Sequence, residues 1–197
     1  MAGKERLSVN TRILRSIAAG LAVLLCLLML AGCSRMNGAE KKVNGELRAI
    51  RESGAYGSEL KALRDSLSDT GRENFDGFLK NLKDFDYEIT GSEEYDDYTL
   101  VSVKIRTRDF GREYLAVWTE FLKANEDTKP DDMTGFYEML FERLSSAGEK
   151  DYIKTIQILC IDPLANGEWI ANIKENEELQ DAIFGGMMSE MIALADE

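Results

Sequence analysis

Four sets of residues in this chain have types and spacing that chemistry could use. Acidic pairs come first: Glu93-Glu94 with Asp96-Asp97, and Asp131-Asp132. Clustered carboxylate oxygens suit a hard cation such as calcium, but neither group has the spacing of a calcium loop. A solvated turn and a helix N-terminus are the plainer readings of the same residues. Aromatic side chains come second. Tyr114, Trp118, Phe136, Tyr137 and Trp169 fall on inward faces of their elements and are candidates to line an apolar pocket, with ordinary core as the alternative. Trp118 and Trp169 are the stronger pocket candidates, because a buried indole N–H needs a partner. The third is Cys160, a possible nucleophile. It lies in the most apolar strand expected in the chain, where a thiol stays protonated, and reads as core. The fourth is a set for acid–base work by carboxylate and phenol alone: Asp86, Glu88, Tyr87 and Tyr114. The chain has no histidine, which removes the commonest general base and the commonest metal ligand. No metal and no cofactor is expected.

The elements that must position these residues follow from periodicity. Residues 43–83 read as two or three short helices, with Leu60, Leu63 and Leu67 on one face and Phe75, Phe78, Leu79 and Leu82 on another. Gly54, Gly57 and Thr70-Gly71 punctuate that run. The period then drops to two. Phe85, Tyr87 and Ile89 alternate with acids in a strand ending at Gly91, and residues 92–97 form an acidic turn. Thr99, Val101, Val103 and Ile105 then alternate with more polar residues, which makes a hairpin covered on one face. Asp109 caps a helix over 111–125 with Tyr114, Trp118, Phe121 and Leu122 inward. Pro130 opens a second helix carrying Met133, Phe136, Tyr137, Leu140, Phe141 and Leu144 on one stripe.

The segment 152–162 is apolar on both faces and is expected to be a central strand. Asn166-Gly167 turns it back into a partner strand over 168–173. Asn176 caps a last helix over 177–195, with Leu179, Ala182, Ile183, Met187, Met191 and Leu194 inward. Gly185-Gly186 in its middle implies a kink or a close backbone approach. The fold class is α+β: a curved antiparallel sheet of about four strands packed by helices.

The N-terminus sets the address. Lys4, Arg6, Arg12 and Arg15 precede an apolar run over 17–31, shorter than the roughly 20 residues that a membrane span needs. Its length and basic flank suit the h-region of a secretory signal peptide. Leu30-Ala31-Gly32-Cys33 resembles the lipobox of bacterial lipoproteins. That resemblance implies a diacylglycerol thioether on the Cys33 sulfur, cleavage between Gly32 and Cys33, and acylation, for instance by palmitate, of the new N-terminus. The chain then divides into a signal peptide (1–32), a lipidated Cys with its polar tether (33–42) and one domain (43–197). Lipid on Cys33 would hold the protein on the extracytoplasmic face of the membrane. The competing reading is an uncleaved transmembrane anchor.

Residues 1–32 carry four of the 24 basic residues and one of the 36 acidic ones. The remaining 165 residues therefore have 20 against 35, a net charge of −15. Such a surface argues against nucleic acid and against docking on anionic lipid. Of three cysteines, Cys26 leaves with the signal and Cys33 takes lipid, so Cys160 has no disulfide partner within the chain.

The stretches 85–89, 101–111, Asn166-Gly167-Glu168-Trp169 and Gly185-Gly186 resemble small lipoproteins of unknown function from Firmicutes with nuclear-transport-factor-two-like (cystatin-like) domains. The resemblance implies a sheet wrapped by helices into a cone, which in relatives of that fold can enclose a pocket, and brings no catalytic signature. The expected function is thus a membrane-tethered, non-catalytic binding domain for a surface protein or a small apolar ligand. The alternatives are a cone-pocket enzyme using carboxylates and the substrate-binding lipoprotein of an importer.

Overall fold

A computed structural model describes residues 36–53, 58–125 and 133–196. Residues 1–35, with the apolar run, Gly32 and Cys33, lie outside the described residues, as do Gly54, Gly57, Pro130, Asp131 and Asp132.

Helix α1 (Gly38–Ser53) begins five residues before the pattern-based domain boundary. Its start is a reciprocal capping box. The Asn37 Oδ1 accepts the Glu40 N–H at 2.9 Å, and a Glu40 carboxylate oxygen accepts the Asn37 N–H at 3.0 Å. Ala39, Val43 and Leu47, one turn apart, are wholly buried. The polar tether expected over 34–42 is therefore cut short at the cap.

Helices α2 (Ser58–Ser66) and α3 (Asp69–Lys83) follow. Thr70-Gly71, expected to break the helical run, lies instead in the first turn of α3, where the Ser68 Oγ accepts the Gly71 N–H. Phe75, Phe78 and Leu82 carry the buried stripe of α3.

Strands β1 (Asp86–Glu94) and β2 (Thr99–Thr107) form the hairpin. β1 does not end at Gly91. A bulge between Ile89 and Gly91 lets it continue to Glu94. One extra residue reverses the alternation, so Tyr87 and Ile89 face the helices below the bulge and Ser92 faces them above it. β2 shows the expected alternation without interruption: Thr99, Val101, Val103, Ile105 and Thr107 are all buried.

Helix α4 (Phe110–Ala124) is capped by Asp109, whose carboxylate accepts the Arg112 N–H. Its buried stripe is Phe110, Tyr114, Val117 and Phe121, and Leu122, expected inward, is exposed. Helix α5 (Thr134–Ser145) buries Phe136, Leu140, Phe141 and Leu144. It meets α3 through Phe75 and Phe141, whose ring centroids are 4.8 Å apart in an edge contact.

Strand β3 (Tyr152–Ile161) and the two-residue strand β4 (Ile170–Ala171) complete an open antiparallel sheet in the order β1-β2-β3-β4. The partner strand expected over 168–173 is thus only a short bridge. Asp162 explains part of this, since its two carboxylate oxygens accept the Asn166 and Gly167 N–H groups and wind the chain into a loop. β3 buries Ile156, Ile158 and Cys160 on one face only, while Ile153, Leu159 and Ile161 on the other face are exposed. The helices cover a single side of the sheet, and α1 crosses that side, touching all four strands.

Helix α6 (Glu177–Ile183) is capped by Asn176, and helix α7 (Met187–Ala195) follows a two-glycine junction. The expected single helix is broken there, not bent. Met191, expected inward, is exposed. Residues 37–197 form one unit, and no helix among the described residues is long and apolar enough to cross a membrane.

Candidate functional site

Four of the five pocket candidates do come together, but packed ring against ring at the edge of the core. Tyr114 and Trp118 from α4 and Tyr137 from α5 gather around Phe136, with centroids 5.9, 5.4 and 5.6 Å from its ring. Phe121 closes the group at 5.5 Å. Burial raises the Tyr114 phenol above its ordinary pKa, and nearby Tyr137 adds to this. Tyr114, Phe121 and Phe136 are buried, and Trp118 and Tyr137 are half-buried against them. Trp169 lies elsewhere, with its indole over the first turn of α1. A Cβ at Gly38 would run into Trp169 Nε1 and Cδ1, so a side chain at 38 would displace the ring. Trp169 thus covers the start of a helix, and it does not share a cavity with Trp118.

The acid–base candidates are scattered. Asp86 and Glu88 are exposed on the outer face of β1, and Asp86 meets Lys150 at 3.2 Å. Tyr87 points to the opposite face, its hydroxyl 2.9 Å from the Asn44 Oδ1. Tyr114 is in the aromatic cluster on α4. Period-two geometry puts Asp86 and Glu88 on the opposite side of the sheet from Tyr87, so the two carboxylates do not share a site with that phenol. Cys160 is buried beneath α1, and its thiol is pushed up to about 11, chiefly by burial. It is not a nucleophile near neutral pH. Glu93 accepts a hydrogen bond from the Tyr95 hydroxyl, and among the described residues no group of three or more acidic or cysteine side chains is placed to hold a metal ion.

Surface clefts exist, but none of the three described is lined by the predicted aromatics. One of about 490 Å³ is basic, with Arg48, Arg51, Lys80 and Lys83 beside Glu52, Asp84 and Tyr87. Arg51 lies in the last turn of α1, and Lys80 and Lys83 in the last turn of α3. Two helix C-termini converge there, and cations are favoured at those ends whether or not a ligand is present. Arg48 is also paired with Glu52, and the Arg51 guanidinium lies 5.8 Å from the Tyr87 ring centre. The fold accounts for this cluster.

A second cleft, of about 600 Å³, runs beside α6 and α7 and contains Lys154 and Asp181. Asp181 is 8% exposed and meets Lys154 at 3.0 Å. Burial alone would raise its carboxyl pKa. The Ser189 N–H and the Lys154 ammonium outweigh burial and hold it below the ordinary value. Ser189 is the third residue of α7, whose N-cap is Gly186 with no side chain. Asp181 therefore supplies, from α6, the cap oxygen that α7 lacks.

The surface feature that stands out is apolar. At the end of the sheet that carries both the β1–β2 turn and the β3–β4 loop, Tyr95 (47% exposed), Tyr98 (36%), Leu159 (40%), Ile161 (37%), Leu164 (72%) and Ile170 (54%) are open to solvent. The Tyr95 and Tyr98 rings stack at 4.6 Å, and the turn is closed by the Tyr95 N–H donating to the Tyr98 carbonyl. Leu159 and Ile161 lie on the helix-free face of the sheet, where Leu100 is the cross-strand neighbour of Leu159 and Ile170 that of Ile161. Leu122, Ile153, Met191 and Ile192 are exposed elsewhere, but this end groups the most large apolar side chains and is the candidate contact site. Sequence reasoning missed this group. Its legible signal was apolar residues inside turns: Tyr95 and Tyr98 amid acids, and Leu164 after Asp162-Pro163.

No protein-family model, curated protein or solved structure matches the chain.

Proposed function

We propose that this chain is a bacterial lipoprotein, held on the extracytoplasmic face of a membrane by lipid on Cys33, whose domain is a non-catalytic binding module working through its surface. The observation that carries the binding reading is the exposed apolar group around Tyr95, Leu164 and Ile170, set against aromatic candidates that fill the core. Such a group makes contact with another surface, protein or membrane, and not with an enclosed small apolar ligand, because a carrier hides its apolar site inside. The helix laid across a four-stranded antiparallel sheet accords with the cone-fold lipoproteins that the sequence resembles. The enzyme alternative loses support from the scattering of Asp86, Glu88, Tyr87 and Tyr114. The importer alternative loses support from the single unit over 37–197, since such receptors have two lobes.

Cys33→Ala tests the anchor. The sulfur is the only atom of the Leu30-Ala31-Gly32-Cys33 motif that can take a thioether, and a single acyl chain binds a membrane only marginally, whereas two or more hold stably. The variant is expected to keep residues 1–32, to carry no radiolabel from palmitate and to lose the mature mass. A variant with the mature mass and lipid of the wild type removes the anchor from the account.

A further inference from the structure

The chain between the lipidated residue and the folded domain is very short. Asn37, the cap of α1, is four residues past Cys33, which fully extended is at most roughly 14 Å. On the lipoprotein reading proposed above, the end of the domain that holds Asn37 cannot leave the membrane surface by more than that distance. That end is well defined. The Asn37 Nδ2 donates to the Ser92 Oγ at 2.8 Å, and Ser92 donates to Glu40, which ties the start of α1 to the top of β1. Trp169 lies over Gly38 and brings the β3–β4 loop to the same place. The Tyr95–Tyr98 turn follows directly from the top of β1, and Thr99 is paired with Cys160, so Ile161 and Leu164 are at this end too.

The tethered end and the apolar end are therefore the same end. We infer that it is seated in the bilayer interface, with Leu164 and Ile170 of the β3–β4 loop and the stacked Tyr95 and Tyr98 at headgroup depth. Tyrosine suits that depth, with an apolar ring and a wet hydroxyl. Glu94, Asp96, Asp97 and Glu168 are exposed at the same end and repel anionic lipid, so the contact alone is weak. It need not be strong. The acyl chains supply the affinity and the short tether supplies a high effective concentration, so the apolar contact sets only orientation. Seated in this way, the domain turns Ile153, Arg106 and the basic cleft at the opposite end of the sheet toward the outside.

The test uses the mature lipoprotein, purified from membranes and reconstituted in phosphatidylcholine vesicles. Leu164→Cys and Ile153→Cys are labelled separately with a small fluorophore, and nitroxide-bearing phosphatidylcholine is the quencher. Both positions are exposed, so folding tolerates the change, and the buried Cys160 does not compete for label. Ile153 is on the same face of the same strand as Ile161 but eight residues away, roughly 26 Å along β3. Interfacial seating reaches only 5–10 Å, so position 164 should be quenched at least about threefold more than 153. Equal, low quenching at both positions in protein that still floats with the vesicles overturns the inference and leaves the anchor intact. Cross-linking of 164 to 164 between two copies overturns it as well, by naming a second copy as the occupant. Protein that does not float at all overturns the anchor itself.

Discussion

Gly185→Ala is expected to destabilise the domain by about 3 kcal/mol or more, whereas Gly45→Ala should stabilise it by about 0.5–1 kcal/mol. The substitution is the same and the backbone context decides its sign. Gly185 has φ 55° and Gly186 has φ 80°, a left-handed pair between α6 and α7. A Cβ on Gly185 would collide with the Arg108 carbonyl oxygen, which is backbone and cannot swing away. The Gly185 carbonyl also accepts the Gly111 N–H at 3.0 Å, so the clash would part α4 from the junction. Gly45 faces nothing within 4 Å on an exposed face of α1, and alanine there restricts only the unfolded chain. Urea unfolding of both variants checks the pair. A Gly185→Ala midpoint within error of wild type would mean that the helices can separate without loss.

Removing the Asp181 side chain should have the next largest effect. Asp181→Ala strips the cap from Ser189 and leaves Lys154 without its partner, a loss of about 2–3 kcal/mol at pH 7. The loss should depend on pH in a stated direction. The folded carboxyl titrates below its unfolded value, near 3.9, so its contribution is complete above that value and disappears as pH falls through the folded one. Wild type and Asp181→Ala should therefore differ by a constant amount from pH 7 down to about 5, then converge below about 4. Lys154 is raised, because Asp181 outweighs the lowering effect of its burial, and its share is lost only in strong alkali. Asp181→Asn, which keeps an acceptor for Ser189 but not the charge, should fall between the two. An undiminished difference at pH 3 would show that the neutral acid caps α7 equally well.

What could be read in the sequence, and what could not, divides along physical lines. β2 was legible because every second residue from Thr99 to Thr107 is buried and nothing interrupts the alternation. The Asp109 and Asn176 caps were legible because each precedes an apolar stripe and has a side-chain oxygen to offer. Gly185-Gly186 announced a close approach because two glycines are too costly to keep inside a free helix. The start of α1 was hidden. Asn37-Gly38 looks like a turn, and only the glutamate three residues on reveals the box. β1 beyond Gly91 was hidden by the bulge, which shifts the period that identifies a strand. The outer face of β3 was misjudged for a different reason. Ile153, Leu159 and Ile161 are as apolar as Ile156 and Ile158, and composition does not say which face the helices cover. The candidate site fell in that gap, since an apolar residue in a sequence reads as core and the contact surface is apolar residues that are not core.

The central claim is that this domain works through its surface and encloses no ligand. A native mass spectrum of residues 37–197, the unit that begins at the α1 cap, tests it most directly. The account predicts the bare mass of the polypeptide, unchanged between native and denaturing conditions. A reproducible extra mass that leaves on denaturation would contradict it and would return Tyr114, Trp118 and Tyr137 to the role of pocket lining.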